Sequence, residues 1–208
     1  MLPETGPHQA LLVNGQPIKQ VSHFVYLGSE VPDSEAAFQQ RRQKAWVVAA
    51  KLDKVAKSSA SEHLKARLFR ATVESVLLYA AETLAVSNTL GKKIDGAHSA
   101  LLRHSMGIHW LMRVSNEELY QRADCPCGSK TVRIRRLGLY GHVMRHPSET
   151  PAGAVLHTIP TEKYRVGGHR RVTFEATVSR DLEDLGVDNP ALYLDRQAWK
   201  NLLSRATL

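Results

Sequence analysis

Apolar residues change their spacing once along this chain of 208 residues. Up to about residue 32 they come in short runs broken by turn residues. Beyond it they recur every three or four positions. The run LLV at 11–13, followed by Asn14-Gly15 and QPIKQV, predicts a hairpin, because Asn-Gly takes up the left-handed conformations that a tight primed turn requires. HFVYLG at 23–28 reads as a third strand ended by Gly28. Three strands this short need a surface to pack on.

The rest of the pattern is helical. Ser34 predicts the cap of a helix running to about Lys57. Phe38, Ala45, Ala49, Leu52 and Ala56 share one of its faces, and Arg41, Lys44, Lys51 and Lys54 are assigned to another. Ser59-Ala-Ser-Glu62 has the form of a capping box and predicts a second helix to about Leu84, whose VLLYAA stretch is apolar all round and expected to be buried. A third helix is expected from about Thr89 to Met106, stopped by Gly107. Ser115-Asn-Glu-Glu118 opens a short fourth helix. Residues 129–145 form a fifth, with Ile134, Leu137, Gly141 and Met144 on one stripe. The segment 146–172 holds three prolines and closes in RVGGHRR, so it reads as a flexible loop. Thr173 predicts the cap of a helix to about Leu185, and Asp195 that of the last one, DRQAWKNLL.

Composition adds a core-forming 43% of apolar residues and a net charge of +8. No segment is long and apolar enough to span a bilayer. MLPETGPHQA lacks the basic and apolar regions of a secretory signal, which predicts an intracellular protein of the nucleus or cytoplasm. Charge is unevenly placed. Residues 41–145 hold nineteen bases and eight acids, a net +11. A concentrated basic block is the expected footprint of a polyanion, usually nucleic acid, although a solvated charged face gives the same composition.

Three groups of residues are candidates for chemistry. Arg41, Lys44, Lys51 and Lys54 with Arg67 and Arg70 of the second helix could straddle phosphates, each neutralised phosphate adding a salt-sensitive, sequence-independent contribution. In KTVRIRRLGLYGHVMR, Arg133, Arg135, Arg136 and Arg145 could hold backbone while Tyr140 and His142 meet a base; the other reading of His142 is a histidine satisfied within a helix that packs through Gly141. RVGGHRR lacks the Gly-Lys-Ser/Thr of a phosphate-binding loop, so Arg170 and Arg171 offer either phosphate contacts or a basic linker. A zinc site must also be weighed. Cys125-x-Cys127, fourteen residues and His142-x-x-x-His146 supply the right ligand types, but Cys-x-Cys is tighter than the usual structural spacing.

Several blocks, taken in order, resemble the C-terminal part of the reverse transcriptase of non-LTR (LINE-type) retrotransposons. They are FVYLGSEV at 24–31, RRQKAWVVAAKL at 41–52, LKARLFRATVESVLLYAAETLAV at 64–86, LRHSMGIHWLMRVSNEELYQRA at 102–123, RIRRLGLYGHVMRHP at 133–147, GGHRRVTFEATVSRDLEDLG at 167–186 and DRQAWKNLL at 195–203. The resemblance implies that Tyr26, Leu27 and Gly28 belong to a primer-gripping strand at the end of a palm, and that the following helices form a thumb that holds the template–primer duplex. It further implies a downstream region with a Gly-His-x-x-Arg motif, matched by Gly141, His142 and Arg145, and a basic Gly-rich stretch before an aromatic, matched by 165–174.

The departures bear on activity. The family's RNA-directed DNA polymerase chemistry uses aspartates that hold two Mg2+ ions, and this sequence has no Asp-Asp pair. The Gly-rich stretch reads Gly-Gly-His-Arg-Arg where the family often has basic-Gly-Arg-Pro. The expectation is therefore a mainly α chain: a palm remnant with an antiparallel β hairpin or small sheet at 1–32, a thumb-like helical bundle at 33–112, and a basic helical region at 113–208. It is expected to bind RNA and DNA, as hybrid or structured duplex, without a cofactor, catalysis or a membrane. A zinc-dependent nucleic-acid-binding module and a decayed or repurposed helical protein that binds another protein stay open as alternatives.

Overall fold

A computed structural model describes residues 12–18, 24–26, 29–31, 34–84, 86–146, 150–151, 153–154, 174–187 and 190–205. The chain is mainly helical, with two short antiparallel pairs of strands among the described residues ahead of the helices. The first pair is the expected hairpin. Strands β1 (Leu12–Val13) and β2 (Gln16–Pro17) face each other as Leu12 to Pro17 and Val13 to Gln16. Asn14 and Gly15 have φ of 52° and 77°, the left-handed pair that a primed turn needs.

HFVYLG does not add a third strand to that hairpin. Strand β3 (Phe24–Tyr26) instead pairs with β4 (Ser29–Val31), placing Phe24 opposite Val31 and Tyr26 opposite Ser29. The two paired segments are neighbours in sequence, so the pairing is local. Strand β4 lies beside the first helix. Leu27 and Gly28 fall outside the described residues.

Helix α1 (Ser34–Lys51) and the single turn α2 (Asp53–Ala56) fill the span expected for one helix, interrupted at Leu52. Helix α3 (Glu62–Phe69) starts at Ser61, whose hydroxyl accepts the Leu64 N–H, and not at Ser59. A π-helical turn, Arg70–Glu74, and the short α4 (Ser75–Leu77) continue it. The predicted run to Leu84 stops at Ala80, which is left-handed at φ 48°, and a 3-10 turn follows at Ala81–Thr83. Helix α5 (Asn88–Met106) is capped by Ser87 and closed by left-handed Gly107. A Cβ at Gly107 would lie 2.5 Å from the Ala56 carbonyl oxygen, so space and φ both demand glycine there.

Helix α6 (Asn116–Ala123) has its expected Ser115 cap. Helix α7 (Gly128–Met144) starts without a side-chain cap of its own. Asp95 of α5 supplies one, accepting from the Ser129 N–H at 2.7 Å and its hydroxyl at 2.8 Å. Helices α8 (Phe174–Asp184) and α9 (Arg196–Arg205) end the chain, and Asp195 caps α9 by accepting from the N–H groups of Gln197 and Ala198. The expected loop at 146–172 lies almost wholly outside the described residues, as does the Thr173 cap.

Two apolar cores result. The larger gathers Phe38, Phe69, Leu77, Leu78, Ile94, Leu101, Leu102, Leu119 and Val132. It spans α1 to the first half of α7, so it crosses the boundary expected at 112/113: helix α6 and the start of α7 belong to the bundle. The smaller core gathers Leu137, Val178, Leu182 and Trp199 from α7, α8 and α9. Helix α7 is thus shared by both cores. At each end it comes close enough to a neighbour to require glycine. A Cβ on Gly128 would lie 2.9 Å from Ile94 Cγ2, and one on Gly141 would lie 2.7 Å from Trp199 Cδ1.

Candidate nucleic-acid interface

The basic face predicted on α1 divides in two. Buried residues Ala37, Phe38, Arg41, Ala45 and Ala49 step by three or four positions, so Arg41 stands on the apolar stripe, and only 4% of it is exposed. Burial lowers the pKa of its guanidinium, opposed by the charge of Glu82. Arg41 is therefore a core residue, and its assignment to a phosphate-binding face is corrected. Lys44 and Lys51 stand two turns apart on the exposed side of α1, roughly 10 Å along the axis. That is about the axial advance of three phosphates on one strand. Arg67 of α3 and Lys54 of α2 are exposed too, and none of these four side chains holds an ion pair among the described residues.

Arg67 lines a shallow, open depression with Leu64, Leu68, Arg70 and Ala71. Arg70 is half-buried and donates to the Asp124 carbonyl at 3.4 Å, a long bond that leaves most of its guanidinium uncommitted. The π-helical turn that begins at Arg70 packs beside α1.

The arginines of α7 have other employment. Arg136, 4% exposed, donates to Asp181 Oδ2 through Nε at 2.8 Å and through a terminal nitrogen at 2.6 Å. Arg133 reaches Asp181 at 3.2 Å and Asp184 at 2.7 Å. Arg135 donates to the Leu78 carbonyl at 3.1 Å, close to where the preceding helix breaks at Ala80. Arg145 donates to the Tyr193 carbonyl at 2.8 Å. This arginine run is the joint between the bundle, α8 and the C-terminal segment. Arg136 in particular is too deeply paired to meet phosphate. Arg170 and Arg171 lie outside the described residues.

The Gly-His-x-x-Arg motif resolves into three separate functions. Gly141 admits the Trp199 indole, whose N–H donates to the Leu137 carbonyl at 3.1 Å. Arg145 ties α7 to the segment before α9. His142 points outward, its ring 4.4 Å from that of His146, so it is not a histidine satisfied inside the helix packing.

The four-residue zinc set does not assemble. Cys125 and Cys127 precede α7 while His142 and His146 lie at its far end, about 20 Å away along the helix. Among the described residues no three His, Cys, Asp or Glu side chains gather as a metal site. Burial pushes the Cys125 thiol from 9.0 up to about 11, which makes it a packing residue rather than a nucleophile.

Two features escaped the sequence reading. One is a buried polar network: His98, fully enclosed, meets Glu74 Oε1 at 3.0 Å and the Tyr120 hydroxyl at 3.4 Å. Glu74 closes the π-helical turn, where the extra residue re-aims side chains relative to an α-helix. The other is Trp110-Leu111-Met112, three large apolar residues on a 3-10 turn, all exposed. A run of bulky side chains lodged between the stop at Gly107 and the cap at Ser115 was the available signal, since no helix could bury it. Among the described residues no helix is long and apolar enough to cross a membrane. Set against family models, curated proteins and solved structures, the chain matches none of them.

Proposed function

We propose that this chain binds nucleic acid, gripping a template–primer duplex, as the C-terminal part of a non-LTR retrotransposon reverse transcriptase. The observation that carries the reading is the set of exposed cations on α1, α2 and α3: Lys44, Lys51, Lys54 and Arg67 hold no ion pair among the described residues, while Arg133 and Arg136 of α7 are paired internally. The ordered sequence blocks support the family assignment, and a helical bundle after short strands agrees with a thumb. On this reading the chain contributes grip and no bond-making chemistry. The parent polymerase would hold Mg2+ through an Asp-Asp pair that this sequence does not contain.

Fluorescence anisotropy with a labelled 20-base-pair RNA–DNA hybrid, titrated between 50 and 200 mM salt, tests the proposal. Affinity that falls steeply with salt is expected. Affinity no greater than that of a neutral protein of similar size at 50 mM salt overturns it.

A further inference from the structure

We propose that the turn carrying Trp110 is a stacking platform for an unpaired nucleobase next to the gripped duplex, a role that rests on the nucleic-acid reading above. Trp110 is 78% exposed, and Leu111 and Met112 beside it are 65% and 60% exposed. Trp46 is half-buried and Trp199 fully buried, so Trp110 is the one tryptophan of the three with an open face.

The platform is built in advance. Ile108 on one side packs against the large core, and Val114 on the other is buried in it. Between them the Met112 N–H donates to the His109 carbonyl at 2.9 Å and the Arg113 N–H to the Trp110 carbonyl at 3.2 Å. Arg113 is left-handed at φ 49°, which reverses the chain. Arg103 of α5 clamps the exit, donating to the Val114 carbonyl at 2.9 Å and to Asn116 Oδ1 at 2.7 Å. The backbone under the indole is thus ordered before binding, so stacking orders the side chain and not the turn.

Charge selects the occupant. Arg113, three residues after Trp110, is the exposed cation of this turn, and the next acids along the chain are Glu117 and Glu118 at the start of α6. Arg113 is exposed and holds no ion pair among the described residues, leaving a free guanidinium on the same turn as Trp110 for a phosphate. Every base offers a π-face, so recognition here needs no sequence preference. A protein partner or a second copy of the chain would also fit an apolar knob, but neither would require an unpaired arginine on the same turn.

Tryptophan fluorescence tests the proposal directly, using a twelve-residue oligothymidylate and an abasic phosphodiester of the same length as probes. The base-bearing strand should quench Trp110 and shield it from acrylamide, and the abasic strand should do neither. Trp110→Ala should weaken oligothymidylate binding roughly 5- to 150-fold with the salt slope unchanged, and Trp110→Phe should restore most of the loss. Circular dichroism confirms folding of both variants, whose substituted residue is at the surface. Equal quenching by the two strands, or wild-type affinity in Trp110→Ala while Lys44→Ala/Lys51→Ala/Arg67→Ala binds weakly, overturns the platform and leaves the grip intact. Failure of both strands and the hybrid duplex to bind overturns both. Self-association that is abolished by Trp110→Ala, with no quenching by oligothymidylate, assigns the knob to a second copy and overturns the platform.

Discussion

Gly141→Ala adds one methyl group, and the packing of α7 on α9 dictates its effect. The new Cβ would lie 2.7 Å from Trp199 Cδ1 and 2.8 Å from Cε2, distances that real Cβ atoms essentially never show. Either the indole shifts or the helices part. Overpacking of this kind costs roughly 1–3 kcal/mol. Displacing the indole also strands its N–H, now 3.1 Å from the Leu137 carbonyl, in a dry site, which adds roughly 1–3 kcal/mol. Against this stands a gain in helix propensity of about 0.8–1 kcal/mol. The net is a destabilisation near 3 kcal/mol, concentrated in the smaller core. Gly138, one turn earlier on the same helix, supplies the control. Its Cβ would meet only Leu203 Cδ1, at 3.9 Å, so Gly138→Ala keeps the propensity gain and stabilises by up to about 1 kcal/mol. Urea unfolding followed by near-ultraviolet circular dichroism compares the two variants. Equal stabilisation by both substitutions would refute the reasoning, because it would mean that Gly141 is not where the indole enters.

Asp181→Ala should cost about 3–5 kcal/mol in the same unfolding assay, because it leaves Arg136 buried without its carboxylate; a loss under 1 kcal/mol would show that Arg136 is solvated. Cys127, half-buried, should react with a thiol reagent at pH 8 in the folded chain while buried Cys125 reacts only on unfolding, so two fast thiols would contradict the placement of Cys125. The same burial has a pH consequence. The folded chain holds the Cys125 proton up to about 11 and the unfolded chain loses it near 9.0, so this contribution to stability is complete below pH 9 and declines as pH rises between those values. Cys125→Ala should remove that part of the alkaline decline, and an unchanged profile would contradict it.

What could be read from sequence was what local chemistry decides. Asn14-Gly15 specifies its turn through backbone sterics alone, and Ser115 and Asp195 specify their caps through their own hydroxyl or carboxylate. Failures fall where distant residues decide. The box read at Ser59 to Glu62 has its cap at Ser61 instead, and Lys65 in the first turn of that helix donates back to the Ala56 carbonyl at 2.7 Å. Ala80 favours a helix, yet the chain breaks there and Arg135, from 57 positions further on, satisfies the Leu78 carbonyl. Arg133 and Arg136 look unopposed in their own segment because their carboxylates, Asp181 and Asp184, arrive from another helix. Arg41 is a different kind of miss. Its position three residues after Phe38 and four before Ala45 already placed it on the apolar stripe, and its charge obscured that.

The grip itself is tested most directly by the salt dependence of duplex binding in Lys44→Ala/Lys51→Ala/Arg67→Ala. All three side chains are exposed and hold no ion pair among the described residues, so the variant should fold as the wild type does. If each neutralises one phosphate, the slope of log affinity against log salt becomes shallower by roughly 3. A slope within 0.5 or so of the wild-type value, in a variant that is folded, would place the nucleic acid elsewhere or nowhere on this chain.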